Sequence, residues 1–445
     1  HDVVVFDEAH ELEDIASASL GFELAPGRLH ALARAARPLL TDPDASVAVD
    51  DAASLLADAL GPHRDSRLAQ PLDPDLAERL GVVRERVNQL MAAVRRSGRA
   101  SDQAPGTGDE TGRRRRTQQA ATHLVTDIEA ILELSDPAAV GSRVGWVEGP
   151  AHAPVLRVAP VDIGALLGAL LWNAADAPTA VLTSATIPPR LGERIGLPPA
   201  SYDQADVGSP FDYQRQALLY CPLHLPDPRQ AGYETAMLDE LVALIDAAGG
   251  RTLALFTSWR VMHVAAEAVA ARVGFPVLTQ ADLPKPALVA RFAGDEQSCL
   301  FATMGFWQGV DIPGPALSLV VIDRLPFPRP DDPLLQARRE LLGRAAFKAI
   351  DVPRAATLLA QGAGRLIRTA SDRGVVAVLD SRLGKASYRW DLVHALPPMR
   401  RTRSRGDVEA FLAPVRDRSV RNRSGTFSTP AVPVPSAGAA SLGRP

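Results

Sequence analysis

Two adjacent carboxylates follow an apolar segment at the start of the chain. Residues 3–6 are predicted to form a buried strand that runs into Asp7-Glu8-Ala9-His10. At a strand end, the first carboxylate can hold Mg²⁺ with its waters, and the second can orient the water that attacks a phosphoryl group. We therefore assign Asp7 and Glu8 as candidate catalytic residues, with Asp7 as the metal ligand. An acidic turn without chemistry is the alternative, because short motifs recur by chance.

Two small hydroxyl residues, Ser184 and Thr186, follow a second predicted strand at residues 180–183. Hydroxyls at the carboxyl end of a strand suit a hydrogen-bonded switch that relays nucleotide state, although a plain turn is the alternative. Ser184 follows Glu8 by 176 residues, whereas one helical connection between parallel strands needs only about 20–30 residues. A helical domain is therefore predicted to be inserted between the two motifs.

Two arginines occur late in a helical pattern, in Gln361-Gly362-Ala363-Gly364-Arg365-Leu366-Ile367-Arg368. Arg365 and Arg368 are three residues apart, so the spacing predicts that they share a helix face. Two guanidinium groups on one face can reach a triphosphate across a cleft, as arginine fingers do. A solvated arginine face is one alternative. A dinucleotide fingerprint is excluded, because Ile367 occupies the third glycine position and the segment follows a helix.

The loop at residues 306–314 combines glycine with a carboxylate. Gly309 permits close approach of the backbone to phosphate, and Asp311 can accept a hydrogen bond from a ribose hydroxyl or an arginine. The alternative is a structural loop around a buried Trp307. We predict that the tryptophans belong to the core, with Trp307 either a core residue or a base-stacking platform.

Apolar periodicity predicts helices at about residues 74–94 and 117–134, with Asp73 as the N-cap of the first. Residues 95–116 lack that periodicity and are predicted to form a mobile connection. This stretch contains four consecutive arginines, for which phosphate contact and a solvated charge run are equally open interpretations. The four are Arg113, Arg114, Arg115 and Arg116.

Strands alternate with helices from about residue 214 to 396, which predicts an α/β fold with a parallel, doubly wound sheet. The expected strands are 252–256, 276–279, 299–303, 317–322 and 375–379. From about residue 415 the chain is rich in Pro, Ala, Ser and Arg, and we predict a disordered tail.

In this order, the motifs resemble those of superfamily 2 helicases of the XPD/DinG type over most of residues 1–415. The shared segments also include 182–186, 208–211, 256–258 and 325–327. The resemblance implies two RecA-like lobes with ATP and Mg²⁺ between them, and translocation along single-stranded or forked DNA, typically 5′ to 3′. The domains it implies are 1–10 (end of the first lobe), 11–141 (a helical, arch-like insertion), 142–211 (remainder of the first lobe), 212–414 (second lobe) and 415–445 (tail).

The resemblance also implies roles for individual residues. Asp7, Glu8, Arg365 and Arg368 are expected to be catalytic, and Ser184 and Thr186 to couple nucleotide to DNA. Nucleotide contact is expected from His10, Gly309, Asp311, Gln361 and Gly364. Nucleic-acid contact is expected from Thr257 and Ser258. Phosphate contact by Arg113–Arg116 does not come from the resemblance and stays one of the two interpretations given above.

Departures from the family pattern define the main alternative. The chain contains no G-K-[ST] phosphate loop and no four-cysteine iron–sulfur segment, both of which the family carries upstream of the acidic motif. Gln308 stands where the family usually has Glu. We interpret the chain as the C-terminal part of a longer helicase, with any iron–sulfur cluster in the upstream region. A non-catalytic nucleic-acid-binding module that keeps the lobes is the alternative.

Charge and composition indicate the compartment of the protein and the kinds of partner it can bind. The net charge of −4 provides no general basic field, so nucleic-acid affinity must come from local patches. Cys221 and Cys299 cannot form a disulfide framework, which favours the reducing cytoplasm. No apolar run is long enough for a membrane span, and neither a membrane nor an obligate protein partner is predicted.

Overall fold

The computed structural model describes residues 2–101, 108–173, 177–307, 312 and 314–424. Packing divides the chain into two units. Unit 1 groups the described residues of His1–Gly208, Pro326–Ala360 and Trp390–Ala395, and unit 2 groups those of Ser209–Leu325, Gln361–Arg389 and Leu396–Pro445. Within the described ranges, none of the helices is long and apolar enough to cross a membrane.

Helices dominate the first part of unit 1. The elements are β1 (Val3–Phe6), α1 (Leu12–Ser19), β2 (Phe22–Leu24), α2 (Pro26–Ala36), α3 (Asp44–Leu60), β3 (Ser66–Arg67), α4 (Pro74–Ser101), α5 (Gly108–Leu132), β4 (Arg143–Glu148), β5 (Val155–Pro160), α6 (Gly164–Leu167), β6 (Thr179–Leu182) and α7 (Leu191–Arg194). β1 and β6 pair in parallel, and an antiparallel sheet has the order β2-β5-β4-β3.

The predicted helix at residues 74–94 is confirmed as α4. Asp73 is its N-cap, because Asp73 Oδ1 accepts hydrogen bonds from the backbone N–H groups of Asp75 (2.9 Å) and Leu76 (3.3 Å). One face of α4 is buried against α3 and α5. Each apolar side chain buried there contributes about 1.5–3 kcal/mol. The face consists of Leu76, Leu80, Val83, Val87, Leu90 and Val94, each at most 1% exposed.

The predicted mobile connection is wrong where it is described, because residues 95–101 belong to α4 and residues 108–116 to α5. Arg113–Arg116 therefore lie on a helix. Apolar periodicity missed this helix end because Arg113, Arg115 and Arg116 are exposed, so no apolar face is needed. Arginine favours helix, and Arg114 pairs with Glu110 one turn earlier at 3.0 Å. Residues 102–107 lie outside the described residues.

The extended segments near residues 146 and 155–158 are strands, but they differ from the expected remainder of the first lobe. β4 and β5 form a hairpin that pairs with β2 and β3. The turn between them requires glycine, because Gly149 has φ +95° and a Cβ there would lie 2.9 Å from the carbonyl oxygen of Ala153. The antiparallel pairing joins this segment to strands at 22–24 and 66–67 instead of to the parallel pair β1–β6.

A parallel sheet organises unit 2, as predicted. The elements from residue 209 onward are α8 (Tyr213–Gln216), β7 (Ala217–Tyr220), α9 (Tyr233–Ala248), β8 (Thr252–Leu255), α10 (Trp259–Ala270), β9 (Val277–Thr279), α11 (Lys285–Gly294), β10 (Cys299–Ala302), β11 (Leu319–Ile322), α12 (Pro333–Leu342), α13 (Val352–Ala363), β12 (Gly374–Val378), α14 (Arg382–Lys385), α15 (Arg389–Ala395), β13 (Arg400–Thr402) and α16 (Arg405–Ser424). The strand order is β13-β7-β12-β11-β8-β10-β9, with every pair parallel. The inner strands β8 and β11 are buried throughout and, apart from Thr252, apolar, which is typical of a parallel sheet covered on both faces.

Residues 326–360 pack with unit 1, although the second lobe was predicted to be continuous over 212–414. Arg338 of α12 explains this packing: it is 7% exposed and donates to the Val161 carbonyl at 2.9 Å and to Ser17 Oγ at 2.6 Å. Arg354 makes two 2.7 Å hydrogen bonds to Asp14. Burial alone would raise the pKa of Asp14, but the contacts with Arg354 hold it below its usual value.

The C-terminal boundary also differs from the prediction. α16 continues to Ser424, so residues 415–424 are helical and do not belong to a disordered tail. The helix is held by its apolar side, where Val408, Phe411 and Leu412 are buried in the unit 2 core. Residues 425–445 of the predicted tail lie outside the described residues.

Candidate nucleotide and nucleic-acid site

The pairing of β1 with β6 brings the acidic motif and the Ser-Ala-Thr motif side by side. Phe6 lies opposite Leu182, and the ladder continues for one step beyond the strands. The N–H of Thr183 donates to the carbonyl of Phe6 at 2.9 Å, and that of Ala9 donates to the carbonyl of Thr183 at 2.9 Å. Two segments that are far apart in sequence therefore meet at one sheet edge.

Asp7 is exposed and is oriented through one of its two carboxylate oxygens. Oδ1 accepts the backbone N–H of Glu8 and the hydroxyl of Thr183, both at 3.0 Å. Within the described part of the chain, Oδ2 accepts no hydrogen bond. Mg²⁺ prefers oxygen ligands and is usually held by one or two carboxylates together with waters and phosphate oxygens. Asp7 therefore offers one carboxylate oxygen, Oδ2, of the kind that Mg²⁺ takes as a ligand.

Glu8 has a left-handed backbone, with φ 50° and ψ 46°. A residue other than glycine with left-handed φ and ψ angles is strained, and such strained residues cluster at functional sites. Its carboxylate is held in a small network: Ser184 Oγ lies 3.4 Å and His10 Nδ1 3.3 Å from Glu8 Oε2, and the same His10 nitrogen lies 2.8 Å from Ser184 Oγ. Glu8 itself is 61% exposed, whereas the His10 side chain is 6% exposed. His10 thus links the acidic motif to Ser184 from beneath the surface.

The two predicted coupling residues differ in their contacts. Ser184 Oγ accepts the backbone N–H of Thr186 at 3.2 Å, so the turn of the motif is tied to the network of Glu8 and His10. The hydroxyl of Thr186 is buried and has no hydrogen-bond partner among the described residues. Thr186 therefore joins the network through its backbone only.

In unit 2, Thr257 follows β8 and contacts a residue that was not predicted from the sequence. Asp323, at the end of β11, is 1% exposed. Its Oδ1 accepts the backbone N–H groups of Thr257 (3.0 Å) and Arg324 (2.7 Å), and Oδ2 lies 3.4 Å from the Thr257 hydroxyl. The available signal was the same as for Asp7, a carboxylate directly after an apolar strand. Asp323 fixes the loop that carries Thr257 and Ser258.

Burial raises the pKa of Asp323 to about 7, although hydrogen bonds from Thr257 and Arg324 act in the opposite direction. An acid whose pKa is higher in the folded than in the unfolded protein stabilises the fold while it is protonated. This stabilisation is complete below the unfolded pKa, near 4, and is lost as pH rises through about 7. The free energy of unfolding of the wild type relative to Asp323→Asn should therefore fall between pH 4 and pH 8, by up to about 4 kcal/mol. Denaturation of both proteins across this range measures it. A constant difference would contradict the burial effect.

The two arginines do not lie on a helix face, which corrects the prediction. α13 ends at Ala363, and Arg365 and Arg368 lie in the turns that follow. Asp372 Oδ2 accepts the backbone N–H of Arg368 at 2.7 Å, so this N–H group bonds to a side chain and not to a helical carbonyl. Arg365 Nε donates to the carbonyl of Trp307 at 2.9 Å. Arg365 thereby orients the end of the 304–307 segment. Arg368 lies three residues further along the chain, where its backbone is held by Asp372.

Of the other residues predicted to contact nucleotide, some lie within the described residues and some do not. Gln361 and Gly364 lie at the end of α13 and just after it, and both are half-buried. Gly362 serves packing, because a Cβ there would lie 3.2–3.3 Å from Trp307, Ile322 and Leu255. The predicted nucleotide residues Gly309 and Asp311 lie outside the described residues, as does Gln308.

The tryptophans do not share one environment, contrary to the prediction that they belong to the core. Trp307 is fully buried, which favours its core role. Trp146 and Trp172 are half-buried. Trp259 and Trp390 are 51% and 47% exposed.

Comparisons with known proteins agree with these motifs. Residues 241–399 match the helicase C-terminal domain family. The chain is 38% identical over 428 residues to an ATP-dependent helicase DinG of Mycobacterium tuberculosis, covering 93% of this chain and 62% of that protein. It is 33% identical over 433 residues to the ATP-dependent DNA helicase YoaA of Escherichia coli, covering 93% of this chain and 65% of the relative. The chain thus spans less than two thirds of the length of these relatives.

The fold is also similar to that of solved structures. The structure of S. tokodaii Xpd4 matches with a TM-score of 0.55 at 18% identity, covering 90% of this chain and 75% of that one. At this identity the similarity concerns the fold, which is α/β with parallel sheets of the RecA-like type.

Proposed function

Because the chain belongs to the DinG/XPD-like family of superfamily 2 helicases, we propose that it forms part of an ATP-dependent DNA helicase that translocates 5′ to 3′ on single-stranded or forked DNA. The observation that carries this proposal is the network that joins Glu8 to Ser184 through His10. In this proposal the γ-phosphate of ATP lies beside Glu8, and a displacement of the Glu8 carboxylate reaches the Ser-Ala-Thr turn through one hydrogen bond to Ser184. Such coupling is what a nucleotide-driven motor requires, and a passive binding module has no use for it.

Each residue has a defined task in this proposal. Glu8 orients the attacking water and receives its proton, while His10 holds the Glu8 carboxylate in place. Asp7 holds Mg²⁺, which when bound neutralises charge on the triphosphate. Arg368 stabilises charge on the transferred phosphoryl group. Thr257 and Ser258 contact the DNA backbone from the loop that Asp323 fixes.

The proposed location is the reducing cytoplasm, in contact with DNA. Both cysteines are buried, and burial raises the pKa of Cys221 and of Cys299 to about 12. Thiols that are protonated and inaccessible are unreactive toward oxidants and metals. Their role is therefore structural, and they do not contribute to the proposed chemistry.

ATP hydrolysis by the full-length gene product, with and without single-stranded DNA, tests the proposal. We expect hydrolysis that depends on Mg²⁺ and is stimulated by DNA. The chain of 445 residues contains no G-K-[ST] loop, so by itself it should turn over ATP negligibly. Binding of DNA by the full-length product without any ATP turnover would instead support the non-catalytic module.

The arginines of α5 provide a prediction about DNA affinity. Successive helical residues are about 100° apart, so Arg113 and Arg116 share a side, and Arg114 is engaged with Glu110. Replacing Arg113 and Arg116 together by Ala should reduce the salt slope of single-strand binding by about 0.7 for each lost contact. The matched control is Arg114 and Arg115 replaced together, which should change the slope less. A salt slope that stays at the wild-type value in both double variants would indicate a solvated charge run.

A further inference from the structure

An exposed tryptophan directly follows the residues proposed to contact DNA in unit 2. Trp259 is the first residue of α10 and is 51% exposed. Its indole stacks on His263, one turn further along the helix, with ring centroids 5.6 Å apart and an interplanar angle of 26°. Among the described residues, no other ring or cation packs against Trp259. The ring is thus supported by a neighbour and remains widely accessible to solvent.

The backbone that presents Trp259 is anchored on both sides. Asp323 fixes Thr257 from the end of β11, and the opposite side of α10 is buried through Val261, Met262 and Ala265. Ser258 lies between these anchors with an extended backbone, φ −145° and ψ 134°, and its side chain does not cap the helix. In the described part of the chain the Ser258 hydroxyl makes no hydrogen bond. A hydroxyl available for a phosphate and an accessible aromatic ring therefore occupy consecutive residues.

Resting on the proposed function, we propose that Trp259 stacks on a base of the bound single strand, beside the phosphate contacted by Ser258. Every base has a π-face, so stacking on an aromatic side chain tolerates any sequence, as a translocating enzyme requires. The indole body also removes apolar surface from water when a base covers it. Trp259 would therefore supply affinity that does not depend on ionic contacts.

Another tryptophan in the chain offers a matched control. Trp390 is 47% exposed and stacks on His394 with the same centroid distance of 5.6 Å and an interplanar angle of 25°. Trp390 is the second residue of α15 and does not adjoin Thr257 and Ser258 in sequence. Trp390 belongs to unit 1, whereas the loop of Thr257 and Ser258 belongs to unit 2. Its replacement therefore removes a half-exposed ring stacked on a histidine and leaves that loop unchanged.

Fluorescence anisotropy with a labelled oligothymidylate and the 445-residue chain provides the test. Trp259→Ala should weaken binding by about 5- to 150-fold, the range for one stacked base. The salt slope should be unchanged, because no phosphate contact is lost. Trp390→Ala should bind nearly as the wild type does. Trp259→Leu keeps an apolar side chain on His263 and should lose as much affinity as Trp259→Ala, whereas Trp259→Phe should retain most of it.

An abasic oligonucleotide of equal length separates stacking from indirect effects. It has the same phosphates but no bases, so the wild type and Trp259→Leu should bind it equally. An equal loss on the abasic strand, an equal loss in the Trp390 variant, or unchanged binding by Trp259→Leu would each overturn the stacking proposal while leaving DNA binding intact. Failure of the wild type to bind any single strand would overturn DNA binding by this chain, and the stacking contact with it.

Discussion

Replacing Arg368 by Ala in the full-length gene product is expected to lower the kcat of ATP hydrolysis by up to about 10³–10⁵-fold, the range for arginine fingers. Negative charge spreads over the transferred phosphoryl oxygens in the transition state, so a guanidinium there stabilises it more than the ground state. Arg368→Lys should restore little, because lysine lacks the planar pair of donors. Steady-state hydrolysis with saturating single-stranded DNA measures the effect.

A nearby arginine serves as the control for this variant. Arg373 lies over the ring of Phe411 at 3.9 Å and belongs to the packing of unit 2. Arg373→Ala should leave kcat within a few-fold of the wild type. DNA affinity without nucleotide should be nearly unchanged in Arg368→Ala. If DNA affinity collapses while kcat persists, Arg368 is a DNA ligand and its assignment to the nucleotide is wrong.

Replacing Glu8 by Gln is expected to lower kcat by about 10²–10⁴-fold, the usual contribution of a general base. Glutamine has the same shape and keeps hydrogen bonding with Ser184 and His10, but it cannot accept the proton of the attacking water. ATP and DNA should therefore still bind, and only turnover should be lost. Single-turnover hydrolysis, together with nucleotide binding measured separately, distinguishes these steps.

Glu11 is the matched carboxylate for the Glu8 experiment. Its Oε1 lies 3.7 Å from His10 Nε2, on the other side of the same imidazole. Glu11→Gln should leave kcat close to the wild-type value, because Glu11 does not adjoin the acidic strand end. Equal losses in both variants would mean that the carboxylates act only by orienting His10, and Glu8 would not be the base.

Regular apolar patterns made much of the fold predictable. The strands near residues 252, 299 and 375 were placed within two residues of their observed bounds, because fully buried parallel strands are nearly continuous apolar runs. The buried face of α4 followed from its spacing, and its N-cap from the pair Asp73-Pro74. These features depend on local sequence, so they are visible without tertiary information.

The errors arose where tertiary contacts or solvent decide the structure. The first turns of α5 around Arg113 present no apolar face, so periodicity could not reveal a helix there. After α13 ends at Ala363, the backbone N–H groups of Arg368 and Thr369 donate to the Asp372 carboxylate, and a helical pattern through Arg368 does not show this contact. The packing of residues 326–360 with unit 1 depends on Arg338, whose partners lie far away in sequence.

The candidate site was predictable as motifs but not as contacts. Asp7, Glu8 and Ser184 were identified from strand ends, and the structure joins them through a buried His10. Asp323 was missed, although it also follows an apolar strand, because nothing in the local sequence shows that its carboxylate reaches Thr257. Side-chain partners across a sheet edge require knowledge of the strand order.

Strand separation by the full-length gene product, with ATP and Mg²⁺, tests the central claim of an ATP-dependent DNA helicase most directly. Two duplexes of identical sequence are compared, one with a 5′ single-stranded tail and the other with a 3′ tail. We expect ATP-dependent unwinding of the 5′-tailed duplex and little unwinding of the 3′-tailed one. The Glu8→Gln variant should unwind neither duplex. Binding to both substrates without ATP-dependent unwinding of either would contradict the claim and indicate a non-catalytic nucleic-acid-binding protein.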